Sequence, residues 1–201
     1  MTVTADDVLS ALEQSLRVHL PPILTRLEAE KSITLPEPVS WEQVSGREAA
    51  ALLAPKQTPR ISLSSPGLAS DPELVDRNVW DMEWACVIAF WLRNDGGPSY
   101  AEIARRVRIY TTALQIAALS DRSLGGIASG VVPADMDYGG DDDPKEQRTL
   151  GAGFVQVNVT VPRALDLTPG PLEAAGVVIG LPPQPDGWDS QITATSREVG
   201  P

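Results

Sequence analysis

Acidic side chains are the first candidates for chemistry in this chain. Asp141, Asp142 and Asp143 follow Asp135 and Asp137 and make its densest carboxylate cluster. Calcium takes oxygen ligands at alternating positions around a glycine turn, and Asp137, Gly139, Asp141 and Asp143 do alternate. No distal glutamate stands at EF-hand spacing, so the metal reading gives way to a solvated loop, or to a loop facing a partner or a channel. His19 is the single histidine and Cys86 the single cysteine. Hydrolytic triads and zinc clusters need His or Cys partners that this chain lacks, so His19 reads as structural. Carboxylate dyads stay formally open, but no spacing singles out a pair. Asp95-Gly-Gly-Pro98 and Ser123-Leu-Gly-Gly126 are turn chemistry, without the glycine spacing and lysine of a phosphate-cradling loop. No catalytic, cofactor-binding or metal-binding residue is assigned, and no cofactor is expected.

Composition narrows the classes further. Lys+Arg number 16 against Asp+Glu 27, so the formal net charge is 16 − 27 = −11. A chain this acidic repels phosphate at long range, which argues against autonomous binding of naked nucleic acid. DNA passing an acidic wall without adhering is compatible with it. At 201 residues and 42% hydrophobic, the chain suits one domain with a real core plus extensions. A single cysteine allows no intrachain disulfide. No apolar run is long enough to span a bilayer. Residues 1–7 lack the basic and apolar blocks of a signal peptide, so synthesis in a cytosol is the expectation.

The elements that must position any site follow from periodicity. Thr4 and Asp7 resemble a capping box ahead of Val8, Leu9, Leu12, Leu16 and Leu20, an apolar stripe at helical spacing continued by Ile23, Leu24 and Leu27. Pro21-Pro22 predicts a kink or two abutting helices. Residues 33–59, Pro-rich and carrying Trp41, read as a connecting segment with a helical turn or two at Gly46–Ala54. Arg60–Ser64 reads as a short strand closed by Ser65-Pro66-Gly67. Val79–Arg93 is a long strand, apolar on the face of Trp80, Met82, Trp84, Cys86, Ile88, Phe90 and Leu92, with Asp81 and Glu83 opening the other. A strand that long is expected to project from a small sheet.

Helix 98–120 carries a stripe at Tyr100, Ile103, Val107, Tyr110, Leu114 and Ala117, suited to lying on a sheet. Ile109, Ile116 and Leu119 form a second stripe, to be covered by the N-terminal helix or by a neighbouring copy. Arg105, Arg106 and Arg108 lie away from the main stripe, where Glu102 can pair with Arg105 or Arg106. They read as a solvated or inter-subunit salt-bridging face. A short strand ends near Asp137-Tyr138, and Gly153–Val161 alternates valines with Phe154, Gln156, Asn158 and Thr160. Trp80, Trp84 and Trp91 read as core or interface anchors, with Trp80 the best placed for an interface.

The order of elements is similar to that of phage tail terminator (tail completion) proteins of long, non-contractile tails. The resemblance covers about residues 5–163. It is carried by the leading helix, by Ile61-Ser-Leu-Ser-Ser-Pro-Gly67, and by the long strand from Trp84 to Trp91. It continues through Tyr100-Ala-Glu-Ile-Ala-Arg-Arg-Val107, Ala113-Leu114, Ser123-Leu-Gly-Gly-Ile-Ala128, Asp137-Tyr138 and the closing strand Arg148–Val161. It implies a non-enzymatic virion protein, a hexameric ring at the head–tail junction that terminates the tail tube. Its implied partners are further copies of itself, the tail tube protein and a head connector or head-closure protein, with DNA passing through its channel unread.

The expectation is therefore an α+β fold, a small and mainly antiparallel sheet packed against helices. It spans residues 1–163 with an N-terminal helix, and 164–201 form an extended Pro/Gly-rich tail. Trp80, Ile109, Ile116, Leu119, Asp141, Asp142 and Asp143 are the candidate interface residues. Another neck ring, such as a head-closure protein, is the alternative within the class. A small acidic enzyme or ligand-binding domain is the alternative outside it, and would show a pocket with converging carboxylates.

Overall fold

The computed structural model describes residues 2–44, 58–95, 100–143 and 148–167. The expected helical turn at Gly46–Ala54, residues 96–98 of the expected turn and residues 168–201 of the expected tail lie outside them, while residues 164–166, expected to open that tail, instead continue the last strand. Within them the chain is α+β.

Helix α1 spans Ala5–Lys31. Thr4 caps it reciprocally: its hydroxyl accepts from the Asp7 N–H, and its own N–H donates to the Asp7 carboxylate at 2.8 Å. Those bonds, the backbone one first, hold the Asp7 carboxyl below its ordinary value. The expected break at Pro21-Pro22 does not occur; one helix runs through both prolines. The reason is placement. Both rings lie on the exposed side, so the carbonyls that lose an amide partner are on the side water can reach.

Among the described residues six strands form one mixed sheet in the order β1-β2-β4-β6-β5. They are β1 Ser40–Gln43, β2 Arg60–Leu68, β3 Glu73–Asp76, β4 Val79–Asp95, β5 Gly130–Asp143 and β6 Arg148–Asp166. β2 and β3 share one flank of β4, β2 along Trp84–Trp91 and β3 along Val79–Asp81. β6 pairs the other flank over its whole length, from Val79 opposite Asp166 to Asp95 opposite Arg148. Only the β1–β2 pair is parallel, so the sheet is mainly antiparallel as expected.

Helix α2, Tyr100–Ser120, joins β4 to β5, which run in the same sense because both oppose β6. It packs on β4, β5 and β6, while α1 packs on α2 and β2. Both helices therefore cover one face, where Ile61, Leu63, Cys86, Ile88, Phe90, Leu92, Val131 and Val155–Val161 at alternate positions are buried. Phe90 stacks on Tyr110 with centroids 3.8 Å apart and planes 5° from parallel. Ala85 and Trp91 are buried on the opposite face, with Val87 and Ala89 between them half-buried.

The fold departs from the sequence expectations at three further places. The 33–59 segment contains β1, whose Trp41 lies under the Arg17 guanidinium at 4.8 Å and whose Gln43 amide donates to Glu13 at 2.9 Å. Ser65-Pro66 is a bulge rather than a turn, and β2 continues to Leu68. β5 does not end near Asp137-Tyr138 but runs on by pairing with β6, as far as Asp143 opposite Arg148. Asp141–Asp143 thus have strand backbone, not loop backbone; their side chains lie outside the described residues.

Candidate assembly surfaces

The surfaces available to partners are set by where the sheet outruns its helices. β4 has 17 residues, about 56 Å at strand rise. Its first residues, Val79–Asp81, extend past the end of β2 and are flanked by β3, all of whose residues are exposed. Leu74 (60% exposed) and Val75 (48%) sit there, with Leu68 and Leu167 also exposed. Trp80 pairs with Leu74 and Leu165 and is half-buried. Arg163 adopts a left-handed backbone (φ 51°), and its N–H donates to Asp81 at 2.7 Å, fixing a bulge beside Trp80.

The second stripe of α2 has a different fate. Ile109, Ile116 and Leu119 are each half-buried and packed against the core within the protomer. α1 lies along α2, so of the two covers left open for this stripe the chain's own first helix supplies much. The arginines of α2 are likewise engaged internally. Arg105 donates to the Lys31 carbonyl at the end of α1 at 2.9 Å, and Arg106 pairs with Glu102 at 2.6 Å. Arg108 lies over the Tyr138 ring at 5.9 Å.

At the far edge, Val132–Gly139 of β5 is exposed throughout. Val132, Met136 and Tyr138 are apolar or aromatic and, together with Leu74 and Val75, were not among the interface candidates read from the sequence. The signal was present in both cases: an apolar pair between acidic residues in 73–76, and alternation in 131–138. The turns and charges around them masked it.

Concavities among the described residues bring few ionisable groups together. One beside α1, about 230 Å³, is lined by Ser15, His19 and Asp121 among others. The Asp121 carboxylate is committed to the following turn, accepting from the Ser123 hydroxyl at 2.7 Å, the Ser123 N–H and the Gly125 N–H, and is held below its ordinary pKa chiefly by that hydroxyl. Another, about 180 Å³ on the open face, has Asp137 beside Trp91 and Phe154. Among the described residues no group of three His, Cys, Asp or Glu is placed to hold a metal ion. No described helix is long and apolar enough to cross a membrane.

Cys86 is fully buried in β4, and burial pushes its thiol up to about 12 from 9.0. That suits a packed hydrophobe, not a nucleophile. Below pH 9 the thiol is neutral whether folded or not. Above it the unfolded thiol ionises while the folded one does not, so stability contributed by Cys86 is lost as pH rises. We expect the urea midpoint to fall between pH 9 and 12, at up to about 1.4 kcal/mol per unit. Cys86→Val should flatten that part of the pH profile.

Comparison with known proteins adds little to this picture. No family model matches the chain, and no curated protein matches it. A chain from the virion of a native gene transfer agent particle superposes with a TM-score of 0.37 and 13% identity, over 76% of this chain and 93% of that one. At that degree of superposition the likeness decides neither fold nor role.

Proposed function

We propose that this protein is a structural component of a phage-type virion, a ring-forming protein of the head–tail junction that ends the tail tube and joins it to the head. The observation that carries the reading is the β3–β4 end. It presents Leu68, Leu74, Val75 and Leu167 to solvent around the half-buried Trp80, beyond the end of β2. Exposed apolar side chains gathered at one end are what a subunit interface uses. The element order behind the tail-terminator resemblance supports it too: α1, β2, β4, α2, the Leu124–Gly126 turn, β5 and β6 follow in that sequence. The half-buried second stripe of α2 moves the expected subunit contact away from Ile109, Ile116 and Leu119 and onto this projecting end. Asp141, Asp142 and Asp143, at the opposite end of the sheet, stay candidates for contact with the tube or the head. The function is non-enzymatic in this reading, and the net charge of −11 gives a channel to which DNA does not adhere.

Light scattering on the purified chain should give a closed ring, a hexamer by the resemblance. Leu74→Glu with Val75→Glu should shift it to monomers of unchanged helix content. Particles lacking the protein should carry abnormally long tails in electron micrographs. Normal free tails beside DNA-leaking heads would instead place it on the head side, and a strict monomer that leaves tails unaltered would end the proposal.

A further inference from the structure

Among the described residues β5 is an edge strand, and its outer side is closed in an unusual way. Met136 and Tyr138 lie two residues apart, so their N–H groups point to the same side of the strand. Each donates to the carboxylate of the aspartate before it: Met136 to Asp135 at 2.8 Å and Tyr138 to Asp137 at 2.7 Å. These are the donors a further strand would use, since alternate N–H groups of an edge strand face away from its partner. The edge is thus occupied by its own acids. The two faces flanking it also differ. Met136 and Tyr138 stand opposite Val155 and Gly153, on the helix side, whereas Asp135 and Asp137 stand opposite Gln156 and Phe154, on the open side. On the helix side a groove of about 360 Å³ runs beside the edge, lined by Tyr100, Ala104, Val107, Arg108 and Tyr138.

We infer that this edge is a docking site for an extended segment of another protein, in which basic residues alternate with apolar ones. Such a strand would place its apolar side chains over Met136 and Tyr138 and into the groove. Its lysines or arginines would fall opposite Asp135 and Asp137 and draw their carboxylates off the two amides, freeing the donors for the new ladder. A neutral or acidic strand has nothing to exchange for those caps. A second copy of this chain is disfavoured on the same ground, because it carries a net charge of −11 and would bring like charge to the edge. The carboxylate caps therefore act as a charge filter on strand addition. This docking site depends on the geometry of the edge alone and does not require ring formation.

The test uses the full chain and two synthetic nine-residue peptides, one alternating lysine with valine and one alternating glutamate with valine. Fluorescence anisotropy should show the lysine peptide binding at least about tenfold tighter, as two opposite-charge cross-strand pairs against two like-charge ones require. Backbone amide exchange should slow at residues 134–140 on binding. Met136→Pro removes one outward donor and should cut binding about tenfold with unfolding temperature unchanged. Should that variant fail to fold, Asp135→Asn with Asp137→Asn serves instead: it should abolish the preference between the peptides. Equal binding of the two peptides by the unaltered chain, no binding at millimolar concentration, protection outside 134–140, or pairing of two unaltered copies along β5 would each overturn the inference. Loss of ring formation in the Leu74/Val75 variant would leave peptide binding intact, so the two proposals fail separately.

Discussion

Replacing Phe90 by alanine is expected to cost about 3–5 kcal/mol, the largest single loss in the core. Phe90 is fully buried on the helix face of β4, opposite Ile61 on one side and Gly153 on the other. Its ring lies flat on that of Tyr110, so the pair ties the central strand to the middle of α2. Removing the ring leaves Tyr110 facing a void between two elements that cannot collapse together without breaking the ladder on either flank of β4. Chemical denaturation with urea would read the loss directly. Tyr110 supplies a contrasting control. Its hydroxyl is buried with no hydrogen-bond partner among the described residues, and burial, followed by the charge of Glu37, pushes its ionisation far up. An unpaired buried hydroxyl is a cost the folded state bears. Tyr110→Phe should therefore leave stability equal or raise it by about 1 kcal/mol, while keeping the stack. A loss comparable to that of Phe90→Ala would show that the hydroxyl has a partner, and that α2 sits differently on the sheet.

Gly153→Val is expected to be nearly as damaging, by crowding instead of by cavity. A Cβ at Gly153 would lie inside 3.0 Å of the Thr111 Oγ1, and one at Gly151 inside 3.0 Å of methyl carbons of Val107 and Ile103. At these glycines side chains of α2 fill the space that a Cβ on β6 would occupy. Thr111 cannot swing away cheaply: it is fully buried, β-branched, and its hydroxyl donates to the Val107 carbonyl at 2.8 Å. The helix would have to lift from the sheet. Overpacking typically costs about 1–3 kcal/mol, and we place the valine variant at the upper end or beyond. The smaller Gly153→Ala allows a rescue measurement. Combined with Thr111→Ala it should cost at least about 1 kcal/mol less than the sum of the two single changes, the coupling expected of touching residues. Additive losses would mean the two side chains never meet.

How much of this is legible in the sequence differs element by element. The capping box at Thr4 and Asp7 can be read directly, because it depends on residues three apart. So can the valine alternation of β6 and the main stripe of α2, from Ile103 to Ala117, since period alone sorts those faces. β1 is not legible: four residues with Trp41 and Gln43 hold no period long enough to read, and they become a strand only because Arg60–Leu63 and α1 are there to receive them. Pro21-Pro22 misleads because a proline's cost depends on whether the amides it deprives face water. The end of β5 misleads because Gly139–Asp143 has poor strand propensity and is held extended by its ladder to Arg148–Ala152.

The candidate interface divides along the same line. Trp80 at an overlong strand's end is foreseeable from strand length, and the exposed neighbours Leu74 and Val75 are not. The second stripe of Ile109, Ile116 and Leu119 is visible as a stripe, yet its cover is not. By itself the sequence determined local geometry and charge: which residues repeat along a helix or strand, where the caps fall, and that the chain is acidic with one histidine and one cysteine. Only the tertiary structure decided which apolar faces stay exposed, that α1 covers the back of α2, and that Asp135 and Asp137 cap the β5 edge. Period and capping act over a few bonds along the chain, whereas exposure is a property of what the rest of the chain brings alongside.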